Sequence, residues 1–149
     1  MEYRIEPIDT LYGLAFELNK KGLVDAFGVI ALTGDRLHCC DQAAVCHKGD
    51  DIIGVVTIAP FGESCENRPT LVGAWVHPTE RGNGIFSDLV VLATKHVMER
   101  NLLAEGNTIR IDLMTLNAKM AWQRFCRKNG DLQNLFTIYD YTGYFLATL

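Results

Sequence analysis

The chain has 149 residues, 48% of them hydrophobic and 21% charged, enough for one domain with a hydrophobic core. A formal net charge of −4, with no run of Lys or Arg, argues against a broad nucleic-acid or anionic-membrane surface and is compatible with a cationic partner such as an amine. No apolar stretch has the length of a transmembrane helix, and Met1-Glu2-Tyr3-Arg4 leads into no signal-peptide core, so the expected compartment is the cytoplasm.

In chain order, residues 3–8 alternate weakly, as a first strand would. Asp9 or Thr10 can cap a helix to about Lys20, with Leu11, Leu14, Ala15 and Leu18 on one face and Gly22 at its end. Residues 23–32 fit a short helix or a strand, and Gly34-Asp35 a turn. Residues 42–47 and 52–60 read as strands joined through Lys48-Gly49-Asp50-Asp51. A polar loop over 61–69 leads to a strand from Thr70 to Val76. The helix expected over 85–100 carries Phe86, Leu89, Val90, Ala93 and Val97 at helical spacing. Residues 108–116 alternate, with Ile109, Ile111 and Leu113 on one face. Asn117 opens a helix through Lys128, with Gly130 just past its end, and residues 135–141 and 144–149 form a last hairpin. The order implies a mixed α/β architecture, without repeats or linkers.

The most specific run is Val76-His77-Pro78-Thr79-Glu80-Arg81-Gly82-Asn83-Gly84-Ile85-Phe86, between a strand and an amphipathic helix. Gly82 and Gly84 permit a tight turn and close backbone approach. The first N–H groups of the following helix have no intrahelical partners, the helix dipole adds positive potential, and Arg81 adds a full charge. Together these suit a diphosphate. A third glycine is missing, so a dinucleotide-binding Rossmann start fits poorly.

This run resembles the acyl-CoA-binding motif of the GNAT family, the Gcn5-related N-acetyltransferases, whose pattern is Gln/Arg-x-x-Gly-x-Gly/Ala. Residues 79–84 occupy those places, with Thr79 in the first as a departure, and Val76 to Ile85 match the surrounding Val-x-Pro-x-x-Arg-Gly-x-Gly-Ile. The resemblance extends over the order of elements. It implies a single domain over 1–149 with a GNAT-like acyl-CoA N-acyltransferase fold, a mixed central sheet flanked by helices and splayed between the strand ending at Val76 and the strand over 108–116. It implies acetyl-CoA as acyl donor, held through Trp75, Val76, Arg81, Gly82, Asn83, Gly84, Ile85, Phe86 and Asn117. The acceptor would be a primary amine of a small molecule or a protein. By analogy the aromatic hairpin over 136–145 is a surface for a homodimer.

For catalysis the resemblance implies the Val76 N–H as oxyanion donor and a general acid in the last helix. Cys126, four residues before Gly130, stands where the family carries its tyrosine, and reads either as an acid or as a small packed residue. Tyr139, Tyr141 or Tyr144 could substitute. No base is legible: Glu63, Glu66, Asp112 and His77 are the nearby titratable groups. Asn117 reads equally as a pantetheine contact and as a helix cap. His38, Cys39, Cys40, Cys46 and His47 lack zinc spacing, so no metal is expected, and the five cysteines read as free thiols. Trp75, Trp122 and Phe125 read as core, Trp75 also as a pocket wall. An acyl-CoA-binding module without turnover, and a scaffold with a closed pocket, are the alternative readings.

Overall fold

A computed structural model describes residues 1–23, 38–62, 67–113 and 115–143. Among them, the strands β1 (Glu2–Pro7), β2 (Gln42–Lys48), β3 (Asp51–Ala59), β4 (Thr70–Val76), β5 (Ile109–Leu113) and β6 (Phe136–Asp140) form one sheet in chain order. β1 to β4 pair antiparallel, β2 and β3 across the tight turn at Gly49-Asp50. The β4–β5 and β5–β6 pairs are parallel and need crossovers. These contain the helices α2 (Ile85–Glu99) and α3 (Leu116–Lys128).

The sheet has a core on each face. On one, Leu89, Val90, Ala93 and Val97 of α2 and Trp122 and Phe125 of α3 meet Val56, Ile58, Ile109, Ile111 and Leu113. Trp122, Phe125 and Phe136 fix the α3–β6 corner, with ring centroids 4.9 to 6.0 Å apart. On the other face, Leu11 with Ala15 and Leu18 of α1 (Leu14–Lys20) cover Ala43, Val45, Val55, Val72 and Trp75.

The first helical segment is shorter than expected. Gly13, at φ 88°, breaks it into a 3-10 turn (Ile8–Leu11) and α1, so neither Asp9 nor Thr10 caps an α-helix. The Thr10 hydroxyl instead donates to the Pro7 carbonyl at 2.8 Å. α3 is capped by Thr115, whose Oγ1 accepts from the Ala118 N–H at 3.1 Å, which leaves Asn117 inside the first turn. Its other end closes at Asn129, whose N–H donates to the Phe125 carbonyl at 2.8 Å. Gly130 begins a 3-10 turn (Gly130–Leu135) instead of taking a left-handed conformation. The element expected over 24–32, the turn at 34–35 and the strand over 144–149 lie outside the described residues. Among the described residues no helix is long and apolar enough to cross a membrane.

Candidate active site

β4 and β5 pair only at Thr70 with Arg110 and Leu71 with Ile111. A bulge in β4 adjoins the divergence. Between the pairs Val56–Ala74 and Ile58–Leu71, β3 advances two residues and β4 three, so Val72 and Gly73 together face Thr57. Such an insertion bends its strand and increases its twist. It also shifts the side-chain phase. Leu71 joins the α2–α3 core, whereas Val72 and Trp75 join the opposite one. In a regular strand Leu71 and Trp75, four apart, would share a face.

The bulge is satisfied by Thr57, which is fully buried. Its hydroxyl accepts from the Gly73 N–H at 2.9 Å and donates to the Gly73 carbonyl at 3.4 Å. Thr57→Val keeps the shape and strands both groups. The expected loss is about 1–3 kcal/mol of unfolding free energy in a urea titration. Unchanged stability would mean the hydroxyl does not hold the bulge.

Past the bulge, the His77 N–H donates to the Ile53 carbonyl at 2.8 Å. Antiparallel alternation then turns the main-chain groups of Val76 and Ala74 away from β3, towards the gap. The chain leaves β4 through a 3-10 turn (Pro78–Glu80) capped by His77, whose Nδ1 accepts from the Thr79 N–H at 3.2 Å. Arg81 folds back, its Nε donating to the Val76 carbonyl at 3.0 Å. Gly82 and Gly84 both have positive φ, 88° and 80°, and Gly84 is the N-cap of α2. The first helical bond runs from the Asp88 N–H to the Gly84 carbonyl at 3.0 Å, so the N–H groups of Ile85, Phe86 and Ser87 have no partner within α2. A Cβ on Gly82 would meet nothing within 4 Å. One on Gly84 would lie 3.5 Å from Lys128 Nζ.

A cavity of about 690 Å³ fills the gap. β4 bounds it from Val72 to Val76, β5 from Ile111 to Leu113, and the glycine loop lies at one side. α3 contributes Asn117, Ala118, Met120, Ala121, Arg124 and Lys128. Val76, Arg81, Gly82, Gly84, Ile85, Phe86 and Asn117 therefore converge on one space. Asn83, exposed at the loop tip, is not part of the wall. Phe86, expected in the apolar stripe of α2, is half-buried at the cavity, and Ile85 takes the core position beside it. Trp75 borders the cavity, but it is 5% exposed and its indole N–H donates to the Leu23 carbonyl at 3.2 Å. Its ring is core and, by the same alternation, its main chain turns to Val55 of β3, so it backs the cleft without offering a ligand a polar group.

Cys126 is not part of the wall. It lies about 200° around the helix from both Arg124 and Lys128. It packs against the core, where burial pushes its thiol pKa up. Its position two residues from each of the cavity-facing cations is why counting back from Gly130 did not place it at the site.

Among the other titratable groups, Asp112 borders the cavity. Its Oδ1 accepts from Arg110 Nε at 2.9 Å, and the Arg110 guanidinium stacks over the Tyr139 ring at 4.0 Å. Glu80 also borders it, and a hydrogen bond from Lys48 at 2.8 Å holds its carboxyl below the usual carboxylate range. His77, Tyr139 and Tyr141 are not in its wall. Glu63, Glu66 and Tyr144 lie outside the described residues. His47 pairs with Glu6 at 2.9 Å and Cys46 is buried in the α2 core, so they do not meet as ligands. Among the described residues no group of three His, Cys, Asp or Glu is placed to hold a metal ion. Sequence reasoning missed Thr57, Thr115, Arg124 and Lys128.

A mixed sheet opened at a parallel pair, with a helix N-terminus and a glycine loop beside the opening, defines a class of protein with a ligand cleft between two strands. The chain belongs to the acetyltransferase (GNAT) family, whose model matches residues 16–117, and is an acyltransferase. No curated protein sequence matches it. Among solved structures, a GNAT-family acetyltransferase from Staphylococcus aureus Mu50 is similar over 93% of this chain and 94% of its own, at 16% identity and a TM-score of 0.54. The PaiA N-acetyltransferase from Thermoplasma acidophilum, in complex with coenzyme A, is similar over 86% of this chain and 89% of its own, at 11% identity and a TM-score of 0.52. At these identities the likeness is one of fold.

Proposed function

We propose that the protein transfers an acetyl group from acetyl-CoA to a primary amine of a small molecule or a protein. One observation carries this reading: a single cavity joins the Gly82–Gly84 loop to the outward-turned main chain of β4. The donor fits the residues present. The loop and the N–H groups of Ile85, Phe86 and Ser87 suit the diphosphate. The small Ala118 and Ala121 leave room for the narrow pantetheine arm, and Asn117 offers it a polar contact.

In the reaction, the amine nitrogen attacks the thioester carbonyl carbon. The C–N bond forms, the C–S bond breaks, and the CoA thiolate leaves and is protonated. Main-chain N–H groups of β4, Val76 and the deeper Ala74, face the gap where the carbonyl oxygen gains charge. Asp112 receives the incoming ammonium from the β5 side, and its proton passes to solvent. No tyrosine or thiol stands in the described cavity wall, so water protonates the thiolate. The positive charge of Arg124 favours that departure. The rest of the acceleration is positioning.

Asp112→Asn is expected to raise KM for the amine about tenfold, the scale of one charge-assisted contact, with acetyl-CoA affinity unchanged. Equal amine KM values in the two proteins would remove Asp112 from the acceptor site.

Calorimetric titration with acetyl-CoA, followed by a panel of amines with thiol detection, tests the proposal. Saturable binding and amine-dependent thiol release are expected. A folded protein that binds no acetyl-CoA would refute it. The bare α3 wall favours one second reading, a module that binds acyl-CoA without turnover. Binding with no thiol release across the panel would select it.

A further inference from the structure

We infer that Lys128 closes the CoA diphosphate site from the α3 side, opposite the helix N-terminus of α2, with Arg124 one turn behind it. The inference rests on the acyl-CoA reading above. Seen from α2, the loop offers main-chain N–H groups and one charged side chain, Arg81, whose Nε is held on the Val76 carbonyl at 3.0 Å. A diphosphate carries two negative charges, and a helix N-terminus supplies about half a positive one.

Lys128 Nζ stands 3.5 Å from where a Gly84 Cβ would be, so the ammonium lies over the loop on the side where glycine has no side chain. Arg124, four residues earlier and about 6 Å along the axis, faces the same cavity. Among the described residues neither cation has a carboxylate partner. Some other cations do: Lys119 of the same helix binds Asp140 at 2.9 Å, Lys48 binds Glu80 at 2.8 Å and Arg100 binds Asp41 at 2.8 Å. Two unpaired cations facing a cavity with an anion-binding loop leave positive charge to be matched by a ligand.

An ordinary last-turn lysine, stabilised by the dipole of its own helix and solvated, would look similar in isolation. What separates the two is ligand dependence. Lys128→Ala, Lys128→Arg and the unaltered protein would each be titrated calorimetrically with CoA and with 3′-dephospho-CoA, after thermal unfolding confirms equal folding. Lys128→Ala is expected to weaken both ligands equally, by about tenfold, the scale of one charge-assisted contact. Lys128→Arg, which keeps the charge, is expected to stay within about threefold of the unaltered protein. Equal affinity of Lys128→Ala and the unaltered protein would overturn the assignment and leave the CoA reading standing. A loss confined to CoA would move Lys128 to the 3′-phosphate and overturn the diphosphate role. Absence of CoA binding by the unaltered protein would overturn the acyl-CoA reading itself, and this inference with it.

Discussion

Gly84→Val is expected to abolish measurable acetyl-CoA binding while the sheet stays folded. Gly84 sits at φ 80° as the N-cap of α2, a conformation that a β-branched residue takes only with strain of roughly 1–2 kcal/mol. That cost alone would be borne by a folded domain. The larger effect is on the ligand. The valine Cβ would meet Lys128 Nζ at 3.5 Å, and its two methyl groups would fill the space over the loop. Relief of strain would also turn the loop N–H groups off their common target. The expected loss of affinity exceeds about a hundredfold, near 2.7 kcal/mol. Gly82→Val has no protein neighbour to meet within 4 Å, so its effect would come from backbone strain and from excluding the ligand. Calorimetry with circular dichroism on the same samples separates loss of ligand from loss of fold. A folded Gly84→Val protein that binds within a few-fold of the unaltered one would sink the diphosphate-loop reading.

What was legible in the chain was local. β4 runs from Thr70 to Val76 as its apolar run predicts, and the glycine loop follows because positive φ, a proline exit and a helix start each leave a mark in the sequence. The alternation of Ile109, Ile111 and Leu113 identified β5, and the mixed order of elements held over the described residues. What was illegible depends on partners distant in sequence. The bulge at Val72–Gly73 is read only against Thr57 on the neighbouring strand, and it reverses the expected phase of Trp75. Cys126 and Lys128 differ by half a turn, and only the rotation of α3 about its axis decides which meets the cavity. Asn117 reads as a helix cap because asparagine is among the strongest N-cap residues, yet Thr115, two residues earlier, takes that place.

Gly54 illustrates the same limit and carries the last large effect. It interrupts an apolar run without any turn to explain it. In the fold it lies on β3 opposite Val76, and a Cβ there would stand 2.9 Å from Ile85 Cγ2 and 3.0 Å from Leu89 Cδ1. Both neighbours are buried, so neither can swing into solvent. The first turns of α2 thus rest on bare backbone, and Gly54 sets how close the helix comes to the sheet. Gly54→Val would gain up to about 1 kcal/mol in strand propensity. Overpacking opposes it with about 1–3 kcal/mol or more, and the second term wins because one Cβ already overlaps two side chains. The expected result is a lower urea midpoint together with weaker acetyl-CoA binding, since lifting α2 displaces Gly84 and the N–H groups behind it. Gly54→Ala should show both effects in smaller measure. Adding Ile85→Val, which trims the branched residue it strikes, should recover part of each, because contacting sites couple. If Gly54→Ala and Ile85→Val simply added, the helix seat would lie elsewhere, and the loop's position would have to be explained by Thr57 and the bulge alone.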